Sequence, residues 1–188
     1  MKERAGKFLV FAGFLVSMLT TIATQLIYIF ALSLPKIFSL PLDIASLASS
    51  IFIVLGFLIM FLAKRRILDI LIAAAFAITF VLQYAQSSGV YDVYYAVSIG
   101  ITTGKIVVML SLVLLVPYVL WFIKLIRTTP IGAISVLMTI LVSLFVPALI
   151  AAILPNIYST PLYFLLNTVI SVGVCALKTL AAYLDMKK

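Results

Sequence analysis

Residues 61–70 read FLAKRRILDI, with three consecutive cations between two long apolar runs, and this stretch decides how the chain folds. The apolar runs cover about 43–63 and about 67–86, and each is close to the roughly 20 residues that cross a bilayer. Three adjacent cations at the centre of a bilayer would cost several kcal/mol even on lenient insertion scales. We therefore predict that Lys64, Arg65 and Arg66 form a turn at the membrane surface between two separate spans.

The same length criterion divides the rest of the chain into further apolar runs. It predicts six transmembrane spans, at about 8–33, 43–63, 67–86, 106–123, 131–154 and 161–185. The first run follows a basic start, but its length of about 26 residues exceeds the roughly 7–15 of a signal-peptide core, which favours an uncleaved first span. The predicted fold class is an all-α integral membrane protein in which residues 1–188 form a single polytopic transmembrane domain, with no soluble domain.

Basic residues fall at every second junction between the predicted spans. Ten of the thirteen lie in four clusters: Lys2/Arg4/Lys7, Lys64/Arg65/Arg66, Lys124/Arg127 and Lys187/Lys188. Cytoplasmic loops of membrane proteins carry such an excess of Lys and Arg. The alternation predicts three in-out-in hairpins in the cell membrane, with the N- and C-termini both cytoplasmic. The loops near 34–43, 87–104 and 155–160 are then expected on the opposite face.

Composition argues against several classes of function. The chain is 66% hydrophobic with a net charge of +8, and because the basic junctions already explain that charge, we expect no nucleic-acid partner. Histidine is absent and Cys175 is the single cysteine, so the usual zinc ligands and His-dependent catalytic triads are missing. We expect no metal and no cofactor. An intramembrane enzyme stays the least favoured alternative, since Lys105 or a tyrosine would have to carry the chemistry unaided. Asp69 follows Arg65 and Arg66 by four and three residues and is expected to pair with them on the helix surface.

A nine-residue motif occurs twice in the chain. Residues 34–42 read LPKIFSLPL and residues 154–162 read LPNIYSTPL, which are identical at six of nine positions with an offset of 120. Because proline stops a helix and suits the first helical position, each motif predicts a rigid outer connection, with Pro41 and Pro161 opening the next helix. The match indicates either a parallel repeat of the first and third hairpins or a coincidence within a biased composition.

Long polar and aromatic side chains concentrate on the predicted outer side of the membrane. Six of them are candidate binding residues: Lys105, Asn167, Gln25, Gln83, Tyr28 and Tyr84. One interpretation is that they line an outward-facing pocket for a small ligand, because polar side chains in hydrocarbon tend to face the protein interior. The other is an aromatic belt with polar tips at the headgroups, in which Lys105 extends to the interface from the start of the fourth span.

Small residues recur at four-residue spacing in three of the predicted spans. They are Ala45/Ser49 and Ser46/Ser50 in the second span, Ser135, Thr139, Ser143 and Pro147 in the fifth, and Asn167, Ser171 and Cys175 in the sixth. Small side chains let helices approach closely in a bilayer, so these stripes predict helix packing. The alternatives are a polar path between the fifth and sixth spans, or a docking face for another membrane protein.

Two classes of function fit these features. The first is a transport or solute-capture component that is not coupled to ions, since the predicted spans contain no carboxylate near the middle of the membrane. In size, number of spans and placement of termini, the predicted protein resembles the small six-helix capture subunits of energy-coupling-factor transporters. The second is an accessory or structural subunit of a larger membrane complex. Expected partners are the lipid bilayer and either other membrane subunits or further copies of the chain.

Overall fold

The computed structural model describes residues 1–29, 36–87, 103–153 and 161–188. These residues form six helices: α1 Lys2–Ile29, α2 Lys36–Lys64, α3 Ile67–Ser87, α4 Thr103–Thr128, α5 Pro130–Ile153 and α6 Pro161–Lys187. No strand occurs within the four described ranges. The prediction of an all-helical chain with six helices is therefore confirmed for the described residues.

Several of these helices are long and apolar enough to cross a membrane. By length and composition, three segments of the described residues qualify: Lys2–Ile27, Pro41–Lys64 and Leu165–Lys187. Two shorter apolar helical stretches, Ile67–Leu82 and Pro130–Val146, accompany them. Helices of this length and hydropathy are the form in which a chain satisfies its backbone hydrogen bonds inside hydrocarbon, so the chain has the character of a membrane protein.

The three adjacent cations Lys64, Arg65 and Arg66 mark the end of one helix and the start of the next, as the sequence predicts. Helix α2 ends at Lys64 and α3 begins at Ile67. Arg65 adopts a left-handed backbone conformation with φ of 53°, and its N–H donates to the carbonyl of Phe61 at 2.6 Å. A left-handed residue after the last helical turn is a common way to end a helix. The chain thus reverses within two residues.

A second tight reversal joins α4 to α5. Only Thr129 separates the two helices, and its N–H donates to the carbonyl of Leu125 at 2.7 Å. Pro130 follows as the first residue of α5, where the fixed φ of proline suits a helix start and its missing N–H costs nothing. Pro161 opens α6 in the same way, as predicted.

The prediction for Pro41 was wrong. Helix α2 begins at Lys36, and Pro41 lies inside it. As the sixth residue of α2, Pro41 lies just beyond the first four residues, whose N–H groups have no helical acceptor, so it removes one helical hydrogen bond near the start of the helix. The rest of the first motif copy (34–35) and most of the second (154–160) lie outside the described residues, so the repeat stays a prediction.

The six helices form a ring in chain order. Each helix packs against the next one, and α6 returns to α1 and closes the ring. The start of α1, the two tight turns and the end of α6 come together at one end of the ring, which we call the basic end. Ion pairs and a hydrogen bond between these segments fix them there. The arrangement is an up-and-down bundle, and the two described connections, 65–66 and 129, are tight turns.

Four aromatic rings fill the interior of the bundle near the basic end. Phe14 of α1 stacks on Trp121 of α4 with ring centroids 5.0 Å apart. Phe57 of α2 stacks on Phe76 of α3 at 5.7 Å, and the edge of one pair meets the other, with Phe57 and Trp121 at 6.3 Å. Phe57, Phe76 and Trp121 are fully buried. Aromatic contacts of this geometry are favourable beyond the burial of apolar surface. The centre of the ring of helices is therefore packed at the level of these four side chains.

Helices α1 and α2 approach each other through small residues. A Cβ built on Gly56 would lie 2.7 Å from the carbonyl oxygen of Gly6 and 2.6 Å from Cγ2 of Val10. A Cβ built on Gly13 would lie 2.8 Å from the carbonyl oxygen of Ser49. The two contacts, Gly6–Gly56 and Gly13–Ser49, are seven residues apart along each helix, so they lie on one face of α1 and one face of α2. Backbone-to-backbone packing of this kind replaces the hydrophobic drive that is missing in lipid.

We expect Gly56→Ala to lower the thermal stability of the purified protein in detergent. The added methyl group overlaps the backbone of α1, and overpacking of this kind costs about 1–3 kcal/mol. The matched control is Gly173→Ala on α6, where a Cβ meets nothing within 4 Å and alanine raises helix propensity. A melting temperature for Gly56→Ala equal to that of Gly173→Ala contradicts the close approach of α1 and α2.

Candidate functional site

A line of polar contacts runs along the seam between α1 and α6. Thr179 donates to the carbonyl oxygen of Phe14 at 3.2 Å. Further from the basic end, the Thr21 hydroxyl lies 3.5 Å from the Cys175 sulfur, and the Thr168 hydroxyl donates to Oε1 of Gln25 at 2.8 Å. Interhelical hydrogen bonds of this kind contribute about 0.6 kcal/mol each on average in a membrane protein. They close the ring of helices, because α1 and α6 are its first and last members.

The six candidate binding residues fall on four of the helices. Gln25 on α1 is half-buried and accepts a hydrogen bond from Thr168, the neighbour of Asn167 in the chain. Asn167 on α6 and Tyr84 near the end of α3 are exposed. The structure thus brings Gln25 to the segment of α6 that carries Asn167. It places Tyr84 on α3, which is not a neighbour of α1 or α6 in the ring of helices.

The other three candidates lie on described helices, but their side chains lie outside the described residues. Tyr28 is in the last turn of α1, Gln83 is near the end of α3, and Lys105 is in the first turn of α4. Helix α4 begins at Thr103, three residues before the predicted start of the fourth span. The outward-facing pocket therefore remains a prediction.

The most distinctive polar group of the described structure is a buried ion pair that the sequence did not reveal. Nζ of Lys124, in the last turns of α4, lies 2.7 Å from Oδ1 of Asp69, in the first turn of α3, and the side chains are only 6% and 3% exposed. The expectation that Asp69 pairs with Arg65 and Arg66 on the surface was wrong. Asp69 points into the bundle instead, because the partner that compensates its charge is on the neighbouring helix.

The surroundings of Lys124 explain how a cation is kept in this position. Its Nζ donates to the sulfur of Met60 at 3.4 Å and lies 5.0 Å from the centre of the Phe57 ring. Both groups are polarisable, and the face of an aromatic ring attracts a cation. Asp69 gains further from its place at the start of α3, where the helix dipole favours negative charge. The pair is held by three helices.

A second set of ion pairs ties α1 to its two neighbours. Lys7 lies 3.3 Å from Asp185 of α6, and both side chains are buried. Glu3 pairs with Lys64 at the end of α2 at 2.7 Å and lies 3.9 Å from Lys7. In addition, Lys188 donates to the carbonyl oxygen of Thr128 at 2.7 Å, which links the end of α6 to the end of α4. The contacts at the basic end therefore involve α1, α2, α3, α4 and α6.

The basic end is consequently closed by a charged layer above an aromatic layer. Lys7, Lys64 and Asp69 each lie seven residues, or two helical turns, from one of the core rings of Phe14, Phe57 and Phe76. Two turns correspond to about 10 Å along a helix. Lys178 of α6 adds a cation 4.6 Å above the ring of Tyr118 on α4. Within the described residues this end is filled by side chains.

Two of the small residues of α5 serve packing. Ser135 and Thr139 are buried, and their hydroxyls donate to the carbonyls of Ile131 and Ser135, four residues earlier in their own helix. This is how hydroxyls in apolar surroundings are commonly satisfied. Ser143, the next member of the stripe, is exposed. Among the described residues the stripe thus forms no continuous polar path.

An apolar groove of about 640 Å³ lies on the outer surface of the ring, beside α5 and α6. It is lined by Val142, Val169, Ile170, Gly173, Val174, Ala176, Leu177 and Leu180. Gly173 is exposed in it and has open space above its backbone. The lining suits hydrocarbon rather than a polar solute.

The described residues contain no cluster of His, Cys, Asp or Glu side chains that could hold a metal ion. Three of the five acidic residues, Glu3, Asp69 and Asp185, are instead engaged by lysines at the basic end. These three acidic residues also lie next to basic clusters in the sequence, and this proximity was the signal from which the buried pairs could have been predicted.

Comparison with known protein families, curated proteins and solved structures gave no match.

We expect Asp69→Asn and Lys124→Met each to destabilise the protein by about 3–5 kcal/mol, because each leaves one buried charge without its partner. The double variant Asp69→Asn/Lys124→Met removes both charges and is expected to lose less than the sum of the two. Reversible unfolding in detergent, followed by circular dichroism, measures these differences.

The control is Lys64→Gln, which breaks the partly exposed pair with Glu3 and is expected to cost less than about 1 kcal/mol. Losses of equal size for Lys64→Gln and Asp69→Asn, or strictly additive losses in the double variant, contradict the buried ion pair.

Proposed function

We propose that the chain crosses the cell membrane six times, with both termini and the basic end in the cytoplasm. The alternation of basic clusters along the sequence supports this orientation, since Lys and Arg mark cytoplasmic loops. The up-and-down ring supports the number of spans. Neighbouring helices in it run in opposite directions, so each of the six helices would cross the same bilayer once. In this arrangement residues 1–188 form one transmembrane domain.

We propose further that the protein captures or facilitates the passage of a small solute without coupling to ions. The observation that supports this role is the closure of the basic end by the Lys124–Asp69 pair and by the aromatic layer beneath it. A ring of helices that is filled at one end suits a binding body open at the other end. It does not suit a permanently open pore, which needs a continuous wet path.

The proposed ligand site lies at the uncharged end, opposite the basic end. Its proposed lining is the set of outer polar and aromatic residues: Lys105, Asn167, Gln25, Gln83, Tyr28 and Tyr84. Support comes from the α1–α6 seam, where Gln25 reaches the segment of α6 that holds Asn167. Lys105, as the cation of the set, gives the site a preference for a small anionic solute.

A second candidate function is an accessory subunit of a membrane complex. It is favoured by the apolar groove beside α5 and α6, where Gly173 would allow another helix to approach closely. On this hypothesis the chain carries no ligand at its uncharged end and purifies with a partner in mild detergent. Purification as a clean monomer or homo-oligomer counts against it.

We expect a screen of small solutes, organic anions in particular, to yield compounds that raise the melting temperature of the purified protein. Lys105→Ala should abolish the stabilisation, because it removes the cation that the bound anion needs. Asn167→Ala should weaken it. The control is Lys36→Ala, which removes a cation predicted for the same face but outside the proposed site.

Two outcomes contradict the ligand site. One is that no compound of a broad library stabilises the unaltered protein. The other is that Lys105→Ala and Lys36→Ala respond to every compound in the same way as the unaltered protein.

A further inference from the structure

We propose that the turn between α2 and α3 binds the headgroup of an anionic phospholipid through Arg65 and Arg66. The site is at the basic end, away from the proposed solute site. It rests on the membrane placement proposed above and is independent of the capture role, so that either can fail while the other stands.

The charges at the basic end fall into a paired set and an exposed set, and besides the two arginines the exposed set includes Lys2, Arg4 and Arg127. Its acidic side chains, Glu3, Asp69 and Asp185, each lie within 4.0 Å of a lysine. Arg65 and Arg66 are exposed, and neither makes an ion pair or a side-chain hydrogen bond with any of the described residues. Arg66 contributes a longer-range attraction to Glu3, but the described residues do not use the hydrogen-bond donors of either guanidinium group. A guanidinium offers its donors in a planar fork that matches the oxygens of a phosphate.

Exposed apolar side chains flank the two arginines. Leu62, two residues before Lys64, is 62% exposed, and Ile67, directly after Arg66, is 72% exposed. A phospholipid offers a phosphate and two acyl chains within a few ångströms of each other, which fits cations set beside apolar side chains. Free phosphate would gain nothing from Leu62 and Ile67. The same pairing of chemistries is used by protein segments that lie at the headgroup level.

The backbone at the turn also points to a role for the Arg65 side chain. Arg65 has φ of 53°, in the left-handed region where glycine is preferred at the end of a helix. A residue with a side chain costs about 1–2 kcal/mol there. Strained backbone conformations of this kind cluster at functional sites such as ligand clamps. An arginine at the tip of a two-residue turn is well placed to reach a headgroup.

The experiment is native mass spectrometry of the full chain, released from micelles with equal amounts of phosphatidylglycerol and phosphatidylcholine. We expect the unaltered protein to retain phosphatidylglycerol in preference. Arg65→Gln/Arg66→Gln should lower the ratio of the two bound lipids by roughly five-fold for each cation removed. Arg65→Lys/Arg66→Lys keeps the charge and should keep a preference. If the double Gln variant does not fold, Arg66→Gln alone carries the test.

The matched control is Lys187→Gln/Lys188→Gln, which removes the same charge from the basic end. Lys187 lies over the Tyr183 ring and Lys188 donates to Thr128, so both are engaged within the protein. This control should leave the lipid ratio unchanged. The proposal is overturned by equal retention of both lipids, by an equal loss in the control, or by an equal loss in the Lys variant. Displacement of the bound phosphatidylglycerol by millimolar inorganic phosphate overturns the assignment to a lipid.

Discussion

The ion pair between Lys124 and Asp69 is the interaction on which the basic end depends. It joins the last turns of α4 to the first turn of α3 inside the bundle. A buried charge is tolerated only with its partner and with further polar or polarisable contacts, which Met60 and Phe57 provide. The pair therefore fixes the register of three helices.

Helix α1 is the element that organises the rest of the ring. On one side its glycines meet the backbone of α2, and on the other its hydroxyl and amide groups meet α6. At the basic end, Lys7 and Glu3 extend the same contacts to Asp185 and Lys64. Close packing and interhelical hydrogen bonds are the two forces that hold helices together in lipid, and α1 uses one on each side.

The sequence predicts the helices much better than it predicts their packing. The break at Lys64–Arg66 and the start of α6 at Pro161 follow from the cost of buried charge and from proline geometry, which are local effects. The partner of Asp69 could not be found locally, because a surface pairing with Arg65 and Arg66 is equally compatible with the spacing. Helices that are apolar on every side also do not reveal which side faces inward. Gly6 and Gly13 are seven residues apart, and this spacing could have predicted the close packing of α1 on α2. The predicted stripes of small residues at four-residue spacing did not include these glycines.

The candidate site was predictable only in outline. The sequence places Gln25 and Asn167 in the outer halves of two spans, and the structure adds that α1 and α6 are neighbours and that Thr168 binds Gln25. The closed basic end could not be read from the sequence, since it depends on four aromatic rings from four helices. Under the proposed capture role, this closure would leave the opposite end of the ring for entry of the solute.

Thiol accessibility at Ala73 tests the closure of the basic end most directly. Ala73 is buried one turn beyond Asp69, at the level between the charged layer and the aromatic layer. In a Cys175→Ala background, Ala73→Cys should stay unmodified by a hydrophilic maleimide that has access to the basic end, during the time that labels Arg65→Cys completely. Labelling of Ala73→Cys at a rate close to that of Arg65→Cys would show a water-filled path through the basic end and contradict its closure.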